Sequence, residues 1–216
     1  MKPRCIFFDL DGTLTDSGPG IVHSVAYALC KLGVEPPEPD KLRAFIGPPL
    51  LWSFAHFYGF DEEKCREGVR FYREYFTAGG MFENSVYPGI PEALERLRAA
   101  GFRLAVATSK PEPFSKQIIS HFGLDGSFEA VCGAAMDETR TEKADVIRYA
   151  LETLGVTAGE SLMVGDREHD VLGAKAVGLP CVGALWGYGS REELTNAGAS
   201  ALAETPEEMT ELILRM

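Results

Sequence analysis

Long apolar runs are missing from this sequence. Of its 216 residues 45% are hydrophobic, yet no stretch approaches the ~18 continuous apolar residues of a membrane helix. Acidic residues stand near the N-terminus, where a secretory signal would need an apolar segment. We therefore expect a cytoplasmic globular protein without a membrane partner, sized for one large domain or for a core with a modest insertion.

Paired cysteines are also missing. The five cysteines stand singly, with no spacing typical of a zinc site or of a disulfide framework. Three of them, Cys5, Cys132 and Cys181, lie in apolar runs that resemble strands. This pattern favours small buried hydrophobic side chains in a reducing compartment over a catalytic thiol.

Positive charge is scarce. The chain has 21 lysines and arginines against 32 aspartates and glutamates, and its formal net charge is −11. Nucleic acid polymers need a basic face on the protein that binds them, so this balance argues against a nucleic acid partner. A small phosphorylated substrate stays possible if cations are concentrated at one site.

The most informative stretch is an apolar run, Cys5 to Phe8, that stops at Asp9-Leu10-Asp11-Gly12-Thr13. A short run without alternation predicts a central parallel strand, and ligands of such sheets lie beyond the carboxyl ends of the strands. Residues two apart in an extended segment point the same way, so Asp9 and Asp11 can face one substrate. Their mutual repulsion favours a divalent cation between them, and oxygen ligands favour Mg²⁺.

The remaining pattern predicts an α/β fold with a Rossmann-like parallel sheet and an all-helical insertion. No strand pattern occurs from about 18 to 80, whereas helices and strands alternate from 87 onward. We therefore predict an α/β core of residues 1–15 and 87–216, and a helical cap of residues 16–86.

Two further strand ends carry polar side chains. Thr108 and Ser109 follow a strand predicted at 103–107, and Asp166 follows one predicted at 161–164. A parallel sheet brings such ends to one edge, near Asp9 and Asp11. Hydroxyl donors, a lysine and several carboxylates together predict a phosphoryl-transfer site with Mg²⁺ as its cofactor.

The segment Asp9-Leu10-Asp11-Gly12-Thr13 resembles the first motif of the haloacid dehalogenase-like superfamily, whose members are mostly phosphatases that form an aspartyl phosphate. The likeness covers the whole chain and implies that superfamily's α/β core with an inserted helical cap. Thr108-Ser109-Lys110-Pro111 and Gly187-Tyr188-Gly189-Ser190 are similar to the phosphoglycolate phosphatase subfamily.

The resemblance implies a role for each candidate residue. Asp9 would be the nucleophile and Asp11 the general acid and base. Thr108 and Ser109 would bind phosphate, the latter through its backbone N–H. Asp9, Asp11 through its backbone carbonyl, and Asp166 would bind Mg²⁺, while Asp170 would orient the site from behind these ligands.

The phosphate-contacting lysine is less clear from the sequence. Lys143 lies where the family's third motif is expected, although it lacks the proline that often follows this lysine in relatives. We prefer Lys143 to Lys110, which we place at the mouth of the pocket, but the alternative stays open. No role is predicted for Arg167, Glu168 and His169. Asp16 either caps the first helix of the insertion or helps to close the site.

These residues predict a Mg²⁺-dependent phosphatase of small phosphorylated metabolites, phosphoglycolate-like molecules or nucleoside monophosphates, acting as a monomer or homodimer. The alternative is a phosphomutase of the β-phosphoglucomutase type, which uses the same core and cap. A 2-haloacid dehalogenase would not need Asp11. A silent binding protein need not retain every catalytic group, yet all of the candidates are present.

The insertion of residues 16–86 enters beside the predicted nucleophile, so we expect it to act as a lid that selects the substrate. The stiff turn Phe45-Ile46-Gly47-Pro48-Pro49 is the best candidate for contact with the part of the substrate that is not phosphate, through the N–H of Gly47. The alternative is a plain turn between two helices.

Overall fold

The computed structural model describes residues 3–137 and 139–216. The chain forms two compact units, Met1–Thr15 with Val86–Met216, and Asp16–Ser85. Within the described residues, none of the helices is both long enough and apolar enough to cross a membrane.

The first unit is built on a six-stranded parallel sheet with the strand order β5-β4-β1-β6-β7-β8. Its strands are β1 (Cys5–Phe8), β4 (Arg103–Pro111), β5 (Ala130–Ala134), β6 (Ser161–Gly165), β7 (Cys181–Ala184) and β8 (Ala201–Ala203). Two short strands, β2 (Thr15–Asp16) and β3 (Ser85–Val86), pair with each other where the chain passes between the units. The predicted α/β class with a parallel sheet is confirmed.

Six α-helices of the described part of this unit cover the sheet. They are α5 (Ile90–Ala99), α6 (Glu112–His121), α7 (Lys143–Leu154), α8 (Glu168–Val177), α9 (Arg191–Ala197) and α10 (Pro206–Arg215). The residues of β1 are fully buried because the strand lies between β4 and β6 and is covered on both faces. Buried Cys5, Cys132 and Cys181 form part of this core, where burial raises the pKa of the Cys5 thiol to about 12.

The second unit is helical, with α1 (Gly18–Lys31), α2 (Pro39–Leu42), α3 (Leu50–Tyr58) and α4 (Glu62–Ala78). Helix α4 begins after Asp61, whose carboxylate accepts a hydrogen bond from the Lys64 amide at 2.9 Å. The core of the unit includes Phe45 and Phe54, whose rings meet edge to face with centroids 5.1 Å apart.

The short strands β2 and β3 were not predicted, and β4 and β8 also differ from the sequence-based prediction. Strand β4 continues to Pro111, four residues beyond the predicted end, and its pairing with β5 shifts register between Thr108 and Pro111. Strand β8 was not predicted, because its three residues offer only one side chain larger than alanine and therefore no alternation to detect.

Candidate active site

Three predicted site residues lie at the carboxyl edge of the central strands. Phe8 of β1 is in register with Val106 of β4 and with Val164 of β6. Asp9 follows this level by one residue, and Thr108 and Asp166 follow it by two, so all three lie close to one edge of the sheet, and all three are buried. This is the convergence that the sequence pattern predicted.

Lys143 contacts the predicted nucleophile. It is the first residue of α7, and its Nζ donates to Asp9 Oδ1 at 2.7 Å and to the Ala107 carbonyl oxygen at 3.2 Å. The same ammonium lies 2.7 Å from Asp170 Oδ1, as an ion pair without good hydrogen-bond alignment. One buried cation thus links two buried carboxylates, and it is Lys143 that the structure places on Asp9.

Lys110 faces the other predicted catalytic carboxylate. Its Nζ donates to both carboxylate oxygens of Asp11, at 2.8 and 2.6 Å, and its side chain is only 6% exposed. Lys110 thus lies in a partly buried ion pair with Asp11, and its predicted place at the mouth of the pocket stays a prediction. The extension of β4 beyond Thr108 brings the lysine to this place.

A cluster of carboxylates can hold a divalent cation. Oxygen atoms of Asp9, Asp166 and Asp170 all lie within 4.8 Å of one another. Asp9 and Asp170 pair with the ammonium of Lys143, so the three buried carboxylates, when ionised, carry an excess of negative charge over that lysine. Hard oxygen donors at this spacing fit Mg²⁺, which would offset that excess. The carboxylate of Asp11 is outside this cluster and pairs with Lys110.

Burial, together with the neighbouring charges, shifts the acid–base properties of the cluster. Burial raises the pKa of Asp9 to about 6, although the Lys143 ammonium opposes the rise. Burial, reinforced by Asp170 and Asp9, also raises the pKa of Asp166 well above its usual range. Burial alone would lower the pKa of Lys143, but the carboxylates of Asp170 and Asp9 raise it, so the lysine stays charged.

Two hydrogen bonds fix the carboxylate of Asp166, and sequence reasoning missed both donors. The Thr13 hydroxyl donates to Oδ1 at 3.1 Å, and the Tyr188 amide donates to Oδ2 at 2.8 Å. Thr13 belongs to the first motif, and Tyr188 lies in the glycine-rich segment after β7. The sequence analysis noted that segment only for its similarity to a subfamily and predicted no role for it.

The hydroxyl of Thr108 contacts the backbone of the residues that follow it. It accepts a hydrogen bond from the Lys110 amide at 3.2 Å, and the residue is 1% exposed. Ser109 follows and is half-buried. The phosphate-binding roles of these two residues stay predictions.

The contacts of Arg167, Glu168 and His169, which had no predicted role, and of Asp16, which had two alternative ones, are as follows. Arg167 Nε and the Glu168 amide both donate to Glu193, at 2.8 and 2.9 Å, and His169 is exposed. The Arg167 amide donates to Asp170 Oδ2 at 3.1 Å, so this turn supports Asp170 through its backbone. Asp16 Oδ1 accepts from the Gly18 amide at 3.3 Å, a contact that suits the start of α1.

Gly47 lies in the second unit, in the turn before α3. It is exposed, with a φ of 106° that favours glycine. Its predicted contact with the substrate stays a prediction.

Comparison with known families gives a match along most of the chain. Residues 6–184 match the model of the haloacid dehalogenase-like hydrolase family. A solved structure described as a predicted phosphatase from Clostridium acetobutylicum has a TM-score of 0.96 and 47% identity, and the match covers 100% of both chains.

Individual relatives carry different activities in their names. A 5'-nucleotidase of Pseudomonas aeruginosa is 50% identical over 88% of this chain and 86% of its own length. The tyrosine-protein kinase PtkA of Mycobacterium tuberculosis is 41% identical over 98% of this chain and 73% of its own. A phosphoglycolate phosphatase of Aquifex aeolicus is 35% identical over 86% of both. Together with the parallel sheet and the carboxylates at its edge, these matches confirm the resemblance seen in the sequence: the chain belongs to the haloacid dehalogenase-like hydrolase family.

Proposed function

We propose that this protein is a Mg²⁺-dependent phosphatase that hydrolyses small phosphorylated metabolites through an aspartyl phosphate on Asp9. The observation that carries the proposal is the buried cluster in which Lys143 holds Asp9 beside Asp166 and Asp170. A carboxylate held charged by an ammonium, next to oxygen ligands for a cation, is suited to attack on phosphorus.

The first half of the reaction uses Asp9 and Asp11. The Asp9 carboxylate attacks phosphorus, and the bond to the leaving oxygen breaks. Asp11 carries a proton at the start of this step, in place of one of its two contacts with Lys110, and gives that proton to the leaving oxygen. Lys143 stabilises the charged form of Asp9, while Thr108 and Ser109 donate to the phosphate oxygens. A bound Mg²⁺ supplies positive charge that reduces the repulsion between the carboxylate and the anionic phosphate.

The second half releases phosphate. Asp11, now ionised, takes a proton from a water molecule as that water attacks the aspartyl phosphate, and the Asp9 carboxylate is regenerated. Lys110 holds Asp11 by both of its carboxylate oxygens in the present structure, so it fixes the orientation of that side chain.

The first substrate class to test is the 5'-nucleoside monophosphates, because the nucleotidase of Pseudomonas aeruginosa is the relative with 50% identity. Phosphoglycolate and similar phosphorylated acids come second, since relatives with that activity are more distant. Purified protein with Mg²⁺ is incubated with a panel of phosphorylated metabolites, and released phosphate is measured. We expect release that EDTA stops and Mg²⁺ restores.

Asp9→Asn is the matched control for this screen. Asparagine keeps the size of the side chain but is a poor nucleophile, so turnover is expected to fall to background while circular dichroism stays unchanged. Substantial phosphate release by the variant, or full activity of metal-free protein, would refute the proposed mechanism.

A second candidate function is phosphoryl transfer to an acceptor other than water. One relative is named a tyrosine-protein kinase, and a kinase transfers phosphate to an acceptor. The phosphomutase alternative also requires an acceptor other than water. The same screen separates the cases when hexose phosphates and a tyrosine-containing peptide are included and phosphorylated products are followed by mass spectrometry. Phosphate appearing on the acceptor rather than in solution would favour transfer over hydrolysis.

A further inference from the structure

The loop after β7, Trp186-Gly187-Tyr188-Gly189, has no assigned role, yet two of its residues make hydrogen bonds at the site. The Trp186 indole Nε1 donates to the Thr13 carbonyl oxygen at 3.0 Å, across 173 positions of sequence. The Tyr188 amide donates to Asp166 Oδ2 at 2.8 Å. The loop therefore contacts both the first motif and the carboxylate that ends β6.

The two glycines of this loop lie too close to neighbouring atoms for any residue with a Cβ. A Cβ on Gly187 would overlap the Gly12 carbonyl oxygen and the Asp166 side chain, and one on Gly189 would overlap the Asp166 carbonyl oxygen. Gly12 is equally constrained, because a Cβ there would overlap the Asp166 carboxylate and lie 2.7 Å from the Tyr188 ring. Backbone from two segments of the chain, the Gly12 turn and this loop, is thus packed against Asp166.

These hydrogen bonds connect the loop to both oxygens of the Asp166 carboxylate. The Trp186 indole donates to the Thr13 carbonyl oxygen, and the Thr13 hydroxyl donates to Asp166 Oδ1 at 3.1 Å. The Tyr188 amide donates to Asp166 Oδ2. A carboxylate with donors on both oxygens has little freedom to rotate, so its remaining lone pairs point in fixed directions.

We propose that the Trp186–Gly189 loop positions the carboxylate of Asp166 for cation binding. It acts through the Tyr188 amide directly and through the Trp186 indole and Thr13 indirectly. The inference rests on the proposed function, because it takes the cation to be Mg²⁺ held by the Asp9 and Asp166 cluster. Trp186 is a positioning residue that itself touches neither substrate nor cation.

The test uses the fact that the chain has only two tryptophans. Trp186→Phe removes the indole donor and keeps an aromatic ring. Trp52→Phe is the matched control, because Trp52 is half-exposed in the other unit. Mg²⁺ affinity is measured for wild type and both variants by isothermal titration calorimetry, a readout that does not depend on turnover.

We expect Trp186→Phe to weaken Mg²⁺ binding by about three- to tenfold, the usual effect of one lost hydrogen bond, and Trp52→Phe to leave it unchanged. In Trp52→Phe the remaining tryptophan is Trp186, so its fluorescence should change on Mg²⁺ addition with the half-saturation found by calorimetry. Equal Mg²⁺ affinities in the two variants would overturn the proposal. So would a Trp186 fluorescence in Trp52→Phe that does not change when Mg²⁺ binds.

A glycine pair extends the test to the backbone. Gly187→Ala should weaken Mg²⁺ binding by about tenfold or more, whereas Gly159→Ala, where a Cβ meets nothing within 4 Å, should not. Unchanged affinity in Gly187→Ala would contradict the proposal. If wild type binds no Mg²⁺ at all, the proposed function fails. If wild type binds it and Trp186→Phe binds it equally well, only this inference fails.

Discussion

Each of the two proposed catalytic carboxylates pairs with its own lysine. Lys143 lies against Asp9, and Lys110 lies against both oxygens of Asp11. The two ion pairs therefore serve different steps of the proposed reaction, nucleophilic attack in one case and protonation of the leaving group in the other. Substrates with good and poor leaving groups can distinguish them.

We expect Lys143→Met to abolish hydrolysis of every phosphomonoester, because the ammonium that stabilises the charged nucleophile is lost. Lys110→Met should reduce hydrolysis of an alkyl phosphate far more than that of p-nitrophenyl phosphate, whose leaving group needs little help from an acid. The measurement is kcat/KM for both substrates in both variants. Equal losses on the two substrates in Lys110→Met would show that Lys110 does not act through Asp11.

The raised pKa of Asp9 predicts the direction of the pH dependence. Because burial lifts this pKa to about 6, the nucleophile becomes protonated, and therefore inactive, as the pH falls through that value. We expect kcat to decline below about pH 6 and the decline to move to lower pH as Mg²⁺ is raised, since a nearby cation favours the carboxylate.

The measurement is kcat at saturating substrate, at a low and a high Mg²⁺ concentration. Saturation matters because phosphate monoesters themselves titrate near pH 6. A rate that rises steadily below pH 6, with the fold intact by circular dichroism, would contradict the assignment of Asp9 as the nucleophile.

At the scale of secondary structure, the sequence predicted the elements that carry the site and missed the contacts that complete it. Buried apolar runs ending in Asp9 and Asp166 marked their strands, because a short apolar run without alternation is typical of a strand covered on both faces. The contact between Trp186 and Thr13 spans 173 positions and leaves no local pattern. Likewise, the pairing of Lys110 with Asp11 depends on the irregular end of β4, which spacing alone does not reveal.

Helix capping gives a prediction for the second unit. Asp61 caps α4 through the Lys64 amide, so Asp61→Ala should lower the free energy of unfolding of this unit by about 1 kcal/mol. Asp40→Ala is the control, because Asp40 is exposed and its ion pair with Arg43 is 3.7 Å long. Urea denaturation followed by circular dichroism measures both, and equal effects would show that the cap contributes nothing.

At the scale of the whole molecule, the described chemistry belongs to one unit. Asp9, Lys143 and Asp166 all come from Met1–Thr15 and Val86–Met216. The helical unit Asp16–Ser85 supplies none of these groups. We propose that it selects the substrate, while the other unit performs the phosphoryl transfer, and that the exposed turn at Gly47 takes part in the selection.

Gly47→Val tests this division of tasks, with Gly59→Val as the matched control. Both glycines have positive φ, 106° and 63°, so valine strains the backbone at either position. They stand at opposite ends of α3, and a Cβ on Gly59 would meet nothing within 4 Å.

We expect Gly47→Val to lower kcat/KM for the best metabolite of the screen much more than for p-nitrophenyl phosphate, because hydrolysis of the latter relies mainly on the carboxylates and lysines of the sheet edge. Gly59→Val should change both substrates equally or not at all. If Gly47→Val also affects both equally, with its fold intact by circular dichroism, the turn is a connection between two helices and substrate selection lies elsewhere.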